Sequence, residues 1–254
     1  LLLACPLPAL SSERPVVGLA LSGGGAKGMA HVGVLRALEE MRVPVDVIAG
    51  TSAGAAVAAL YASGMPVDEI EQRFIEMDWV SSFRDDPGRS YKPVRRKSMD
   101  WRYPVTPGLG VSADGIELGG GLVSGQNLGF ILNELTRDAA LIEDFDDLPI
   151  PFRAVATDLE TGEEVVIGEG SLAEAIRASM SIPGVYAPVS KDGRLLIDGG
   201  VANNLPVSVA RNMGADIVIA VDITDPLMDK DELQQALSVM GQLTTLLTRR
   251  NTET

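Results

Sequence analysis

Twice within the first 63 residues a short apolar run ends in a glycine-rich turn and passes into a helical pattern. Val16-Val17-Gly18-Leu19-Ala20-Leu21, bounded by Pro15 and the glycines at 23–25, reads as a strand buried on both faces, as parallel sheets require. From Met29 to about Met41, Val32, Leu35 and Leu38 recur at helical spacing, with Glu39 and Glu40 opposite. Val45 to Ala49 reads as the second strand, and Ala53 to Ser63 as a small-residue helix able to pack close to a sheet. Repeated βα units of this kind predict an α/β domain with parallel strands.

Alternation continues downstream. A helix follows Pro66, which suits a first turn. Ser124 is placed to cap a helix carrying Leu128, Ile131, Leu132 and Leu135 at i, i+3, i+4 and i+7. Phe152 to Thr157 and Glu164 to Ile167 read as strands joined through Thr161-Gly162, and Ser171 caps another helix. Then come a strand at Leu195 to Ile197, a helix from about Pro206 and a strand at Ile217 to Asp222. Leu233, Leu237, Met240, Leu243 and Leu247 lie on one stripe, so 229–254 is expected to be an amphipathic helix, a contact surface for a homodimer and a lead into a downstream region.

With 46% hydrophobic but only 4% aromatic residues in 254, an aliphatic core within one main domain, 15–228, is expected. The sequence contains no stretch of eighteen apolar residues that could span a bilayer. Leu1-Leu2-Leu3-Ala4-Cys5-Pro6-Leu7-Pro8-Ala9 reads like the end of a signal peptide, making 1–14 a leader remnant or flexible tail. The lone cysteine excludes an internal disulfide and a Cys-based zinc site. A net charge of −14 argues against nucleic acid as a partner.

The stretch 84–125 is too long for an ordinary connection and reads as a lid or insert. It concentrates Arg84, Arg89, Lys92, Arg95, Arg96, Lys97 and Arg102 around Tyr91, Trp101 and Tyr103. Such a mixture suits either a solvated loop or a lipid headgroup interface, and Arg95, Arg96, Lys97 and Trp101 are its candidate substrate or membrane contacts.

Chemistry concentrates at three turns. Ser22-Gly23-Gly24-Gly25-Ala26-Lys27-Gly28 turns strand one into helix one, where crowded backbone amides favour a negative group. Gly23-x-Gly25-x-x-Gly28 also satisfies a dinucleotide fingerprint, which would call for an acidic residue closing the second strand. Asp46 has about the right spacing but opens that strand. A Walker loop fails, because Gly28 follows Lys27. Lys27 itself reads as a helix-start residue.

Gly50-Thr51-Ser52-Ala53-Gly54 is a G-x-S-x-G elbow, whose small flanking residues expose the serine at the strand's carboxyl end. The only histidine, His31, lies upstream of Ser52 and at core-facing helical spacing, so another group must take a proton from that serine if it reacts. Ile197-Asp198-Gly199-Gly200 supplies a carboxylate at a strand end, which can act as a base if burial raises its pKa. If the carboxyl ends of neighbouring parallel strands lie together, all three turns converge on one rim. A serine hydrolase, a dinucleotide-binding oxidoreductase and a non-catalytic membrane-binding module stay open on these residues alone.

The three turns in this order, with Ala178-Ser179-Met180-Ser181-Ile182-Pro183-Gly184-Val185-Tyr186-Ala187-Pro188 before the last, resemble the patatin-like phospholipase family from about Val16 to Val221. The resemblance implies a three-layer α/β sandwich with a mostly parallel central sheet. It also implies a phospholipase A-type acyl hydrolase, with Ser52 as nucleophile and Asp198 as general base. Gly23, Gly24 and Gly25 would form the oxyanion hole, no metal or other cofactor would be needed, and phospholipid would be met at a membrane surface. With the leader-like start, the chain is most similar to the patatin passenger domain of bacterial type V secreted autotransporters. That likeness implies a secreted or cell-surface location in a Gram-negative bacterium and an outer-membrane translocation region downstream, while cytosolic bacterial relatives share the same motifs and leave a cytoplasmic location as the alternative.

Overall fold

The computed structural model describes residues 14–77, 109–112, 115–118, 123–224, 226–227, 229, 242 and 245–249. Nine strands are present among them: β1 (Val17–Leu21), β2 (Val47–Thr51), β3 (Leu109–Ser112), β4 (Gly115–Leu118), β5 (Phe152–Asp158), β6 (Glu164–Ile167), β7 (Val189–Lys191), β8 (Arg194–Asp198) and β9 (Ile217–Val221). Six α-helices accompany them: α1 (Met29–Glu40), α2 (Ala53–Ala62), α3 (Val67–Glu76), α4 (Gln126–Leu135), α5 (Leu172–Ser179) and α6 (Val207–Asn212).

Seven strands form one mixed sheet in the order β7-β8-β5-β2-β1-β9, with β6 paired to β5 outside that path. The β9-β1-β2-β5 half is parallel, whereas β6 and β8 both run antiparallel to β5. The register fixes an unusual meeting. Ala154 and Val155 of β5 pair with both β2 and β6, while Ala156 and Thr157 pair with both β6 and β8. A strand has only two edges, so β2 and β8 lie on the same edge of β5, end to end. Thr51 opposes Val155 and Asp198 opposes the next residue, Ala156, so the two carboxyl ends face each other.

Alternation of side chains separates the layers. Leu19, Leu21, Ile48, Ala154 and Ala156 join the main core with the helices α1 to α5. Ala20, Ala49 and Val155 point to the opposite face and pack with Val209 and Ala210 of α6. The result is a three-layer sandwich. Every residue of α2 except Tyr61 is buried, which its run of alanines permits in a helix enclosed on all sides.

Several boundaries differ from the sequence reading. The second strand begins at Val47 and extends through Thr51, because Asp46 is engaged beside it: its carboxylate accepts the Val17 amide at 2.8 Å and both Arg14 guanidinium nitrogens at 2.5 Å. Ser124 does not cap α4. Gly125 does, at φ +77°, and the Ser124 carbonyl accepts from Arg177 Nη2 at 3.0 Å. Within 84–125 the structure shows the β3–β4 hairpin and a bridge from Val123 to Tyr186. Strand β7 was not foreseen, although Asp192-Gly193, with both residues at positive φ, is the two-residue turn that twisted hairpins favour. Residues 245–249 are helical within the predicted C-terminal helix. No helix among the described residues is long and apolar enough to cross a membrane.

Two glycines test this packing in opposite directions. A Cβ on Gly54 would lie 2.4 Å from the Leu21 carbonyl oxygen, and Gly54→Ala is expected to destabilise the domain by about 1–3 kcal/mol in urea unfolding. A Cβ on Gly129, within α4, would meet nothing within 4 Å, so Gly129→Ala should be neutral or stabilising by up to about 1 kcal/mol.

Candidate active site

Ser52 occupies the single residue between β2 and α2. Its backbone sits at φ +52° and ψ −120°, a conformation costing a non-glycine residue about 1–3 kcal/mol. Tight neighbours hold it there. A Cβ on Gly50 would lie 2.6 Å from the Gly54 carbonyl oxygen, so the turn closes only because position 50 lacks a side chain. The Ser52 amide donates to Ser179 Oγ at 2.8 Å, and Ser179 Oγ donates in turn to the Val155 carbonyl at 2.5 Å.

The elbow aims the hydroxyl at the oncoming strand. Ser52 Oγ donates to Asp198 Oδ2 at 2.7 Å, and the other carboxyl oxygen accepts the Gly200 amide at 2.8 Å. The Asp198 backbone is fixed on both sides. Its amide donates to the Ser181 carbonyl at 2.9 Å, and its carbonyl accepts from Thr157 Oγ1 at 2.9 Å. Gly199 permits the approach, since a Cβ there would lie 2.1 Å from the Val155 carbonyl oxygen. Ser52 is 7% and Asp198 5% exposed. Burial pushes the Asp198 carboxyl from its ordinary 3.8 up to about 6, with the hydrogen bonds from Ser52 and Gly200 opposing the rise.

The glycine loop lies alongside. Gly25, at φ +56°, lines the same open-mouthed pocket as Ser52, Ala53 and the apolar Phe74, Met180 and Ile182. Gly23 departs from its expected role. It is buried, and its amide already donates to the Asn204 carbonyl at 3.2 Å, so it braces the loop and offers the pocket no donor. A Cβ on Gly24 would press on Ile223 at 2.6 Å, which fixes the loop against the segment after β9. No group of three or more metal-ligating side chains occurs among the described residues.

His31 is fully buried, and its Nε2 donates to the Ser22 carbonyl at 2.8 Å. Its Nδ1 is buried without a hydrogen bond, and burial lowers the ring's pKa, so it serves as a neutral brace for the glycine loop. Asp46, the acidic residue nearest to a dinucleotide fingerprint, stands before β2 and is held by Arg14 and Val17. The carboxyl end of β2, where a ribose-binding acid would be needed, carries Thr51 and Ser52 instead. Arg95, Arg96, Lys97 and Trp101 lie outside the described residues.

Ser179, Thr157 and Asn204 escaped the sequence reading. Ser179 falls within the segment matched to the family, but only its bond to the elbow amide shows its use. Thr157 and Asn204 act through backbone carbonyls and amides, which no side-chain pattern marks.

A three-layer sandwich with a glycine loop and a serine elbow at its sheet edge places the chain with the hydrolases of the α/β class. Within that class it belongs to the patatin-like phospholipase family, whose model matches residues 19–211. It is 37% identical over 209 residues to the mouse (Mus musculus) patatin-like phospholipase domain-containing protein 6, a stretch covering 82% of this chain and 13% of the relative. With an uncharacterized NTE family protein of Mycobacterium bovis it shares 36% identity over 212 residues, 84% of this chain and 50% of the relative. Among solved structures it is similar to VipD from Legionella pneumophila, with a TM-score of 0.48 and 18% identity, covering 76% of this chain and 47% of that one. The chain thus spans half or less of the length of these curated relatives.

Because the folded chain holds the Asp198 proton more tightly than the unfolded chain does, ionisation costs stability as pH rises from about 3.8 to about 6, by about 3 kcal/mol in all. Asp198→Asn never ionises and escapes that cost. Urea unfolding at about pH 4 and about pH 8 should therefore show the stability difference moving in the variant's favour by about 2.5 kcal/mol. A difference independent of pH would mean that the carboxyl ionises as readily in the fold as out of it.

Proposed function

We propose that the chain is a lipid acyl hydrolase, of phospholipase A type, that cleaves acyl esters of glycerophospholipids through a Ser52–Asp198 dyad. The observation that carries this reading is the 2.7 Å hydrogen bond from Ser52 Oγ to a buried carboxylate, at the mouth of an apolar pocket. The names of its relatives, phospholipase among them, support the substrate class.

Asp198 Oδ2 takes the hydroxyl proton as Ser52 Oγ attacks the ester carbonyl. The amides of Gly24 and Gly25, with that of Ala53 in the first turn of α2, stabilise the oxyanion. First-turn amides lack intrahelical acceptors, and the helix dipole adds positive potential at the same place. Collapse of the tetrahedral intermediate expels the lysolipid alkoxide, which takes the proton back from Asp198. Water then attacks the acyl-enzyme while Asp198 accepts its proton, and collapse of the second tetrahedral intermediate breaks the bond to Ser52 Oγ, which takes that proton back from Asp198 as the fatty acid leaves.

A carboxyl of ordinary pKa would be too weak a base for this exchange. Raised to about 6, it is still ionised at neutral pH and is a better proton acceptor. The oxyanion amides supply the rest by stabilising charge as it develops.

Ser52→Ala should lower hydrolysis of p-nitrophenyl butyrate by at least about a thousandfold and abolish labelling by a fluorophosphonate. Asp198→Asn should cost about 10²–10⁴ in kcat/KM. In the wild type kcat/KM should rise with pH through about 6 and level off above it, a limb that Asp198→Asn removes. Full activity in Asp198→Asn would rule out the dyad.

A further inference from the structure

Both halves of the dyad are held from one short piece of chain, the end of α5. Ser179 Oγ accepts from the Ser52 amide at 2.8 Å, and two residues on the Ser181 carbonyl accepts from the Asp198 amide at 2.9 Å. The spacing of these two serines therefore sets how nucleophile and acid face each other. Helix ends fray, because their last carbonyls lack intrahelical donors. This one is locked by a charged side chain.

Arg177, one turn before Ser181, is buried. Its Nη1 donates to Ser181 Oγ at 2.6 Å, and Ser181 Oγ donates back to the Arg177 carbonyl at 2.9 Å, closing a ring across the last turn. Its Nη2 donates to the Ser124 carbonyl at 3.0 Å and to the Ala187 carbonyl at 3.3 Å. Those carbonyls belong to segments that lie side by side: the Val123 amide donates to the Val185 carbonyl, and the Ala187 amide to the Val123 carbonyl, both at 3.0 Å. The guanidinium carbon stands 4.7 Å from the centre of the Tyr186 ring, a cation–π contact. A Cβ on Gly125 would collide with Nη2, so that glycine gives the guanidinium its room. A planar fork can serve these separate acceptors and a ring face together, which the compact ammonium of a lysine cannot.

We infer that Arg177 is a positioning residue for the reaction: it locks the end of α5 against 123–125 and 185–187, and so fixes the spacing of the Ser179 and Ser181 clamps that hold Ser52 and Asp198. The role rests on the acyl-transfer reading above and deepens it. Arg177 acts through Ser181 and not on the ester. Misplacing a reacting group by about 1 Å can cost about a hundredfold in rate, so loosening these clamps lowers kcat far more than it weakens binding of a short ester.

The test measures kcat and KM for p-nitrophenyl butyrate in the whole chain, with urea unfolding of each variant alongside. Arg177→Lys keeps the charge and loses the fork. It should lower kcat at least about tenfold while KM stays within about threefold of wild type. Ser181→Ala keeps the guanidinium, removes the hydroxyl it grips and should lower kcat at least about fivefold, so the proposal stays testable if the lysine variant fails to fold. Because both changes break one link, the double variant should fall within about twofold of the slower single variant. Smaller losses of kcat in the variants that fold, with the damage confined to the unfolding midpoint, would make Arg177 a purely structural residue and overturn the proposal. Losses that multiply in the double variant would overturn it too, by removing the route through Ser181. A wild type that neither hydrolyses butyrate nor reacts with a fluorophosphonate would instead remove the acyl-transfer reading, and the positioning role with it.

Discussion

Everything in the site depends on two strands meeting head-on. Strand β2 climbs one edge of β5 and stops at Thr51, and β8 descends the same edge and stops at Asp198, one β5 residue away. Neither strand could continue without running into the other. The chain must leave the sheet at both ends, and it does so with an elbow serine on one side and a glycine pair on the other. The serine and carboxylate therefore meet because of backbone pairing, before any side-chain preference acts. Gly50, Gly54 and Gly199 are the concessions that allow it, each standing where a Cβ would press within 2.6 Å of a carbonyl oxygen.

This arrangement is costly, and the costs identify what the surrounding structure is for. Ser52 holds a backbone conformation that non-glycine residues avoid, and Asp198 holds a carboxyl away from water. Ser179 clamps the elbow amide to β5, Thr157 clamps the Asp198 carbonyl, and Gly200 supplies an amide to the carboxyl oxygen that Ser52 does not use. His31 performs the corresponding task for the glycine loop from within α1, through the Ser22 carbonyl. A rigid shell of this kind holds the reacting groups in place at the moment charge develops, which is where preorganisation contributes most.

Much of the framework was legible because it depends on local rules. Apolar runs ending in glycine turns predicted β1 and α1, and the alanine-rich stretch after Ser52 predicted a helix close to the sheet. What stayed hidden depends on pairing between distant segments. Nothing in Leu195-Leu196-Ile197-Asp198 says whether its strand runs with or against β5, so a rim of parallel carboxyl ends was expected where two opposed ends meet. Gly23 shows the same limit. It belongs to the glycine motif by sequence, yet its amide is taken by Asn204, a partner 181 positions away that only the folded chain reveals. The Asp192-Gly193 hairpin is different, since an Asp-Gly pair is a local turn signal that the sequence itself carries. The leader-like start and the basic residues of the 84–125 stretch lie outside the described residues.

The most direct measurement of the central claim is the titration of Asp198 itself, followed by ¹³C NMR of its labelled side-chain carboxyl in the wild type and in Ser52→Ala. The midpoint is expected near 6 in the wild type and higher in the variant, because the serine hydroxyl stabilises the ionised form. A midpoint near the ordinary 3.8, unmoved by loss of the hydroxyl, would contradict it.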